Sequence, residues 1–144
     1  MKKIWLLIFL FLPLHSFATE KTKEEKVAKY VLENIQNDYV ACYSFYKIAA
    51  VSFKKAGKEE QIIESLEKSA DVTLKFNHDL GEVLGMPPQI MIKKTKKKID
   101  EFTVIAKKDF SSLANQYGLM CKKLVENQKQ RIDYWEAKGN KIIK

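Results

Sequence analysis

The sequence predicts an all-α fold: an up-down four-helix bundle closed by one disulfide, with a short extra helix near the C-terminus. Three observations predict it. Apolar residues recur at steps of three and four along almost the whole chain, the spacing of helices that bury one face. Glycine and proline punctuate those runs, at Gly57 and in the stretch Gly85 to Pro88, where helices end and begin. Two cysteines, Cys42 and Cys121, fall on the apolar stripes of the first and last long segments. No stretch shows the two-residue alternation of a half-buried strand, and no internal repeat is present.

The chain opens "MKKIWLLIFLFLPLHSFATEK". Lys2 and Lys3 precede an apolar run from Ile4 to Leu14, and "SFA" then ends in a small residue. This is the order of a signal peptide, residues 1–18, cleaved between Ala18 and Thr19. The rival reading, a retained N-terminal anchor, is disfavoured because a spanning helix needs roughly 20 apolar residues. No cysteine follows the run to accept a lipid. The expected location is the periplasm or the exterior, with one domain, 19–144, that does not span a membrane.

The first helix is expected over about 22–56. Its stripe runs Val31, Ile35, Tyr39, Cys42, Tyr46, Ala49 and Phe53, and Lys54, Lys55 and Gly57 supply a usual ending. The second, about 58–84, starts on Glu59 and Glu60, which suit the positive end of a helix dipole. Its expected inward stripe is Ile62, Leu66, Ala70, Thr73, Phe76, Leu80 and Val83. Pro88 is suited to open the third helix, about 88–110, with Ile92, Thr95, Ile99, Phe102, Ala106 and Phe110 inward. The fourth, about 112–138, carries Leu113, Tyr117, Cys121, Leu124, Gln128, Ile132 and Trp135. Asn127 followed by Gln130 resembles a cap, which would set off a short last helix before Gly139.

The boundary between the third and fourth helices is poorly marked. Nothing between Ile90 and Asn127 breaks a helix outright, although "DFSS" offers a cap. The cysteines decide it. In an exported domain two cysteines usually pair. Cys42 lies about 20 Å below the first turn-over, at about 1.5 Å per residue. A reversal near residues 109–115 brings Cys121 to a similar level on a neighbouring helix. An unbroken third helix would carry it about 50 Å from Pro88, far outside the roughly 7 Å a disulfide allows between Cα atoms. Disulfide and reversal imply each other.

The catalytic inventory is thin. His78 is the one histidine of 19–144, and it falls off the apolar stripe, as a surface residue does. Covalent haem would need C-x-x-C-H, di-iron bundles need paired Glu-x-x-His motifs, and neither is present. No nucleophile elbow or phosphate-cradling glycine loop appears, and Asp100 and Glu101 read as surface neighbours. The expectation is a protein without catalytic chemistry, cofactor or metal.

Charge and apolar breadth point to binding. The formal net charge is +8, almost all lysine, since Arg131 is the only arginine. Readers of nucleic acid favour arginine for its planar fork, so a nucleic-acid partner is not expected. "KKTKKK" places Lys93, Lys94, Lys96, Lys97 and Lys98 on the third helix, a solvated face or a docking surface for an anionic partner. On the first helix, Phe45, Ile48 and Val51 widen the apolar arc beyond the third to half of the circumference that a small bundle hides. Another segment, a second copy or a protein partner would cover them.

The pair of stretches "CYSFYKIAA" and "CKKLVENQKQRIDYW" resembles small exported bacterial two-cysteine helical proteins of unknown function. That resemblance implies a common scaffold made of both cysteines, Arg131, Tyr134 and Trp135, and no activity. The expected function is an exported accessory factor of inhibitor or immunity type that binds a protein or dimerises. The alternative is an envelope-surface binder of anionic lipid or lipopolysaccharide through Lys93 to Lys98.

Overall fold

The computed structural model describes residues 21–144. The signal peptide and the Ala18–Thr19 cleavage site lie outside the described residues. Helices α1 (Lys23–Lys55), α2 (Glu60–Val83), α3 (Pro88–Glu126) and α4 (Gln128–Ile142) follow one another, and α3 is broken at Asp109. Among the described residues no helix is long and apolar enough to cross a membrane.

Local chemistry explains the ends. Thr22 and Glu25 form a reciprocal cap at the start of α1: Glu25 N–H donates to Thr22 Oγ1 at 3.2 Å, and Thr22 N–H donates to Glu25 Oε2 at 3.0 Å. Lys54 and Lys55 occupy its last turn, and Gly57 then takes φ +64°, a left-handed conformation open to glycine. Gly85 does the same at φ +67° after α2, and Pro88 opens α3.

Asp109 is where the chain reverses. Its backbone is extended (φ −159°, ψ 97°), and its carboxylate accepts the Ser111 N–H at 2.9 Å, as an N-cap does. Before the break, 88–108 runs parallel to α1: Lys94 meets Gln36 near one end and Phe110 meets Phe53 at the other. After it, 110–126 runs back antiparallel, bringing Cys121 to Cys42 with a Cα separation of 5.2 Å and an S–S bond of 2.08 Å. α4 continues in that direction, so that Gly139 lies against Val27 and Tyr30 near the start of α1. The bundle is therefore α1, α2 and the two arms of α3, with α4 as the short extra helix.

α1 is the hub. It meets every other helix, whereas α2 touches α3 only slightly and does not meet α4. Residues 38–42 and 44–46 are all buried, so α1 is enclosed all round in its middle third. Ile35, Tyr39 and Cys42 there join Phe102, Leu113, Cys121 and Leu124 as the most deeply buried core.

Three expectations are corrected. The buried edge of α2 is Ile63, Ala70, Thr73, Asn77 and Gly81, while Ile62, Phe76 and Val83 are exposed. Small residues at that edge let α2 approach its neighbours closely, and Gly81 takes the Met91 side chain where any Cβ would collide. Ile92 is therefore outward, at 62 % exposure, because Met91 fills the inward position. Gly139 does not end the last helix, which runs on to Ile142. It is buried against Tyr30 and Val27, so closely that a Cβ there would stand 3.1 and 3.2 Å from them.

Candidate functional site

Two polar assemblies hold the bundle in register. Asp38, buried in the α1 arc, accepts Arg131 Nε at 2.6 Å, Arg131 Nη2 at 3.1 Å and the Trp135 indole N–H at 2.6 Å. The Arg131 guanidinium also lies over the Tyr134 and Trp135 rings, at 4.6 and 4.8 Å from their centroids. This forked pairing satisfies a carboxylate that would otherwise be desolvated and unpaired. It clamps α4 to α1. Nearby, burial and the neighbouring Asp38 charge push the Tyr39 phenol up to about 12.

The second assembly joins three helices. Gln36 donates to Asn77 at 2.6 Å, Asn77 donates to Thr95 at 3.3 Å, and Lys94 donates to the Gln36 carbonyl oxygen. Burial pulls the Lys94 ammonium below the usual lysine range, opposed by the Glu33 charge. Among the described residues no buried side-chain nitrogen or oxygen is left without a partner. Nor do three His, Cys, Asp or Glu side chains converge as a metal site there.

With those groups engaged inside, the surface carries the remaining features. The expected lysine face is smaller than "KKTKKK" suggests. Lys94 turns inward to Gln36, and Lys98 bonds Glu101 at 2.8 Å while lying over the Phe102 ring at 5.3 Å. Lys93, Lys96 and Lys97 stay exposed. The cause is helical azimuth: positions 94 and 98 share the flank next to buried Met91, Thr95 and Phe102.

The expected apolar partner face is also redrawn. Phe45 is only 6 % exposed, because the second arm of α3 passes over it: a Cβ on Gly118 would sit 3.7 Å from its ring. Phe45 is core and no docking residue. Ile48 is half-buried, and Val51 is 52 % exposed. These two form one wall of a groove of about 560 Å³ between α1 and the first arm of α3. Ile99, Thr103 and Ala106 form the other wall, and Lys47, Lys55 and Lys107 stand along the margins. Among the described residues no carboxylate lines it.

The groove follows from how the helices pack. Positions 99, 103 and 106 lie on one side of α3, turned away from buried 91, 95 and 102 by part of a turn. That strip faces α1 across a seam that no other helix among the described residues covers. A trough of about 440 Å³ lies at the other end of α1, against α4 and Leu80, and its charged margin is Glu24 and Glu136. A third depression, about 370 Å³, lies between 115–124 and α4.

Both cysteines are fully buried and bonded to each other, and His78 is exposed. Sequence reasoning did not foresee the Asp38 clamp or the Gln36–Asn77–Thr95 layer. The signals were an aspartate inside an apolar arc and an asparagine inside a stripe. Comparison of this chain with models of protein families, with curated proteins and with solved structures finds no match.

Proposed function

We propose that this domain is an exported periplasmic or secreted accessory protein that docks a protein partner in the α1–α3 groove and performs no catalysis. The observation that carries the reading is the groove itself. It is an apolar seam in which Val51, at 52 % exposure, stands with Ile48 opposite Ile99 and Ala106, while among the described residues the buried polar side-chain groups are used internally. Helices in a small domain do not leave such a seam open without cost, since apolar area left in water forgoes about 25 cal/mol per Å². Lipid recognition takes second place, because it rests on Lys93, Lys96 and Lys97 alone.

The test is site-specific photo-crosslinking in the native envelope. A crosslinker at Val51 should give a discrete protein adduct, and one at exposed Lys75 on α2 should not. The Val51→Glu variant should lose the partner without losing stability. Adducts of equal pattern from both positions would refute the reading.

A further inference from the structure

We infer that the α1–α3 groove is built for an amphipathic helix with acidic margins, lying along the seam as an added helix of the bundle. The inference rests on the protein-docking reading above and specifies the chemistry of its partner. Three properties of the groove converge on it.

The first is length. The apolar strip on α3 extends from Ile99 through Thr103 to Ala106, opposite Ile48 and Val51 on α1, about 11 Å at 1.5 Å per residue, the length of two helical turns and of one i to i+7 set of anchors. The second is shape. The walls are two parallel helices, α1 and the first arm of α3, and the valley between such helices receives the ridge of a third, read as i, i+3, i+4 and i+7 anchors. The third is the placement of charge. Lys47 and Lys55 stand on the α1 margin, Lys107 on the α3 margin, and exposed Lys96 continues the α3 row one turn before Ile99.

Charge placement selects among occupants. A fatty-acid anion carries one charge at one end and leaves most of these lysines unmatched. A helix with Glu or Asp flanking both sides of its apolar stripe matches both rows. Nucleic acid is disfavoured because no aromatic ring among the described residues lines the floor for a base to stack on. A second copy fits poorly: on α2, the acid-rich helix, exposed Val72 and Phe76 lie beside Lys68 and Lys75, and exposed Ile62 and Val83 stand at opposite ends of the helix. A partner helix of opposite charge accounts for floor and margins together.

The experiment uses residues 19–144 and two synthetic helical peptides. Both carry the same leucine stripe, one with glutamate flanks and one with lysine flanks. Fluorescence anisotropy should show saturable binding of the glutamate peptide, weakened by added salt, and no binding of the lysine peptide. The Lys47→Glu/Lys107→Glu variant, altered only at exposed positions, should weaken the glutamate peptide by about tenfold and admit the lysine peptide. That exchange of preference is an effect that damage to the fold would not produce. Equal binding of both peptides overturns the inference while leaving a docking groove in place. Binding of neither overturns it; if the Val51 crosslink is also absent, the docking reading falls too. Displacement of the glutamate peptide by a fatty-acid anion, or light scattering that shows a dimer blocked by Val51→Glu, also overturns it.

Discussion

Replacing Arg131 by methionine tests the clamp that fixes α4. Methionine keeps much of the side chain's bulk and removes the fork. Asp38, with its side chain at 10 % exposure, then loses two charge-assisted bonds and keeps only the indole N–H. Breaking a buried pair from one side costs about 3–5 kcal/mol. The Arg131 side chain is 26 % exposed, so solvent recovers part of that, and the expected loss is about 3 kcal/mol. Asp38→Asn keeps an acceptor and forfeits the charge, for about 2 kcal/mol. Because the two changes remove one shared interaction, the double variant should lose about 3 kcal/mol, a coupling of about 2. Urea unfolding of residues 19–144 at constant m-value measures all three. Trp135 is the only tryptophan in that span, so its emission should shift red before the global transition in Arg131→Met. Additive losses in the double variant, or an Arg131→Met loss below about 1 kcal/mol with unchanged emission, would refute the clamp.

The disulfide closes a span of 79 residues, so reduction or Cys42→Ala/Cys121→Ala should cost about 4.5 kcal/mol in urea unfolding; the protein, folded or unfolded, should resist alkylation until it is reduced. Tyr39, with its phenol held up to about 12 against 10 when unfolded, stays protonated in the folded state where the unfolded state ionises. Its contribution is whole below pH 10 and is lost as pH rises towards 12, about 2–3 kcal/mol in all. Tyr39→Phe should flatten that part of the stability–pH curve. Gly81→Ala should destabilise by about 1–3 kcal/mol through collision with Met91, and Met91→Ala should recover part of the loss. Val51→Glu, on an exposed wall of the groove, should change stability by less than about 0.5 kcal/mol.

Helix ends were legible in the sequence because they are local events: Gly57, Gly85 and the prolines act within a few residues. The reversal at Asp109 was legible only jointly with the disulfide, since "DFSS" is a weak stop and the bond demands a strong one. Azimuth was harder to read. On α2, Ile62, Phe76 and Val83 fall outside while Ala70, Thr73 and Gly81 face inward, because distance to the neighbour decides, which no local pattern encodes. Phe45 could be placed only by knowing that Gly118 passes over it. Lys94 reads as one of five surface lysines until the buried Gln36 amide is seen to require a donor. The groove was half visible, in Ile48 and Val51; its opposite wall required knowing that α3 lies parallel to α1.

The spoke-like arrangement about α1 has an evolutionary corollary. Substitutions on an outer helix fall mostly against the axle, with narrower contacts between α2 and α3 and between α3 and α4, so each rim segment drifts with few constraints from the others. A substitution on the axle is felt by every spoke at once. Variation among descendants of this chain should therefore gather along the rim, with Lys47 and Val51 as exceptions, since they sit on the axle yet face out of it.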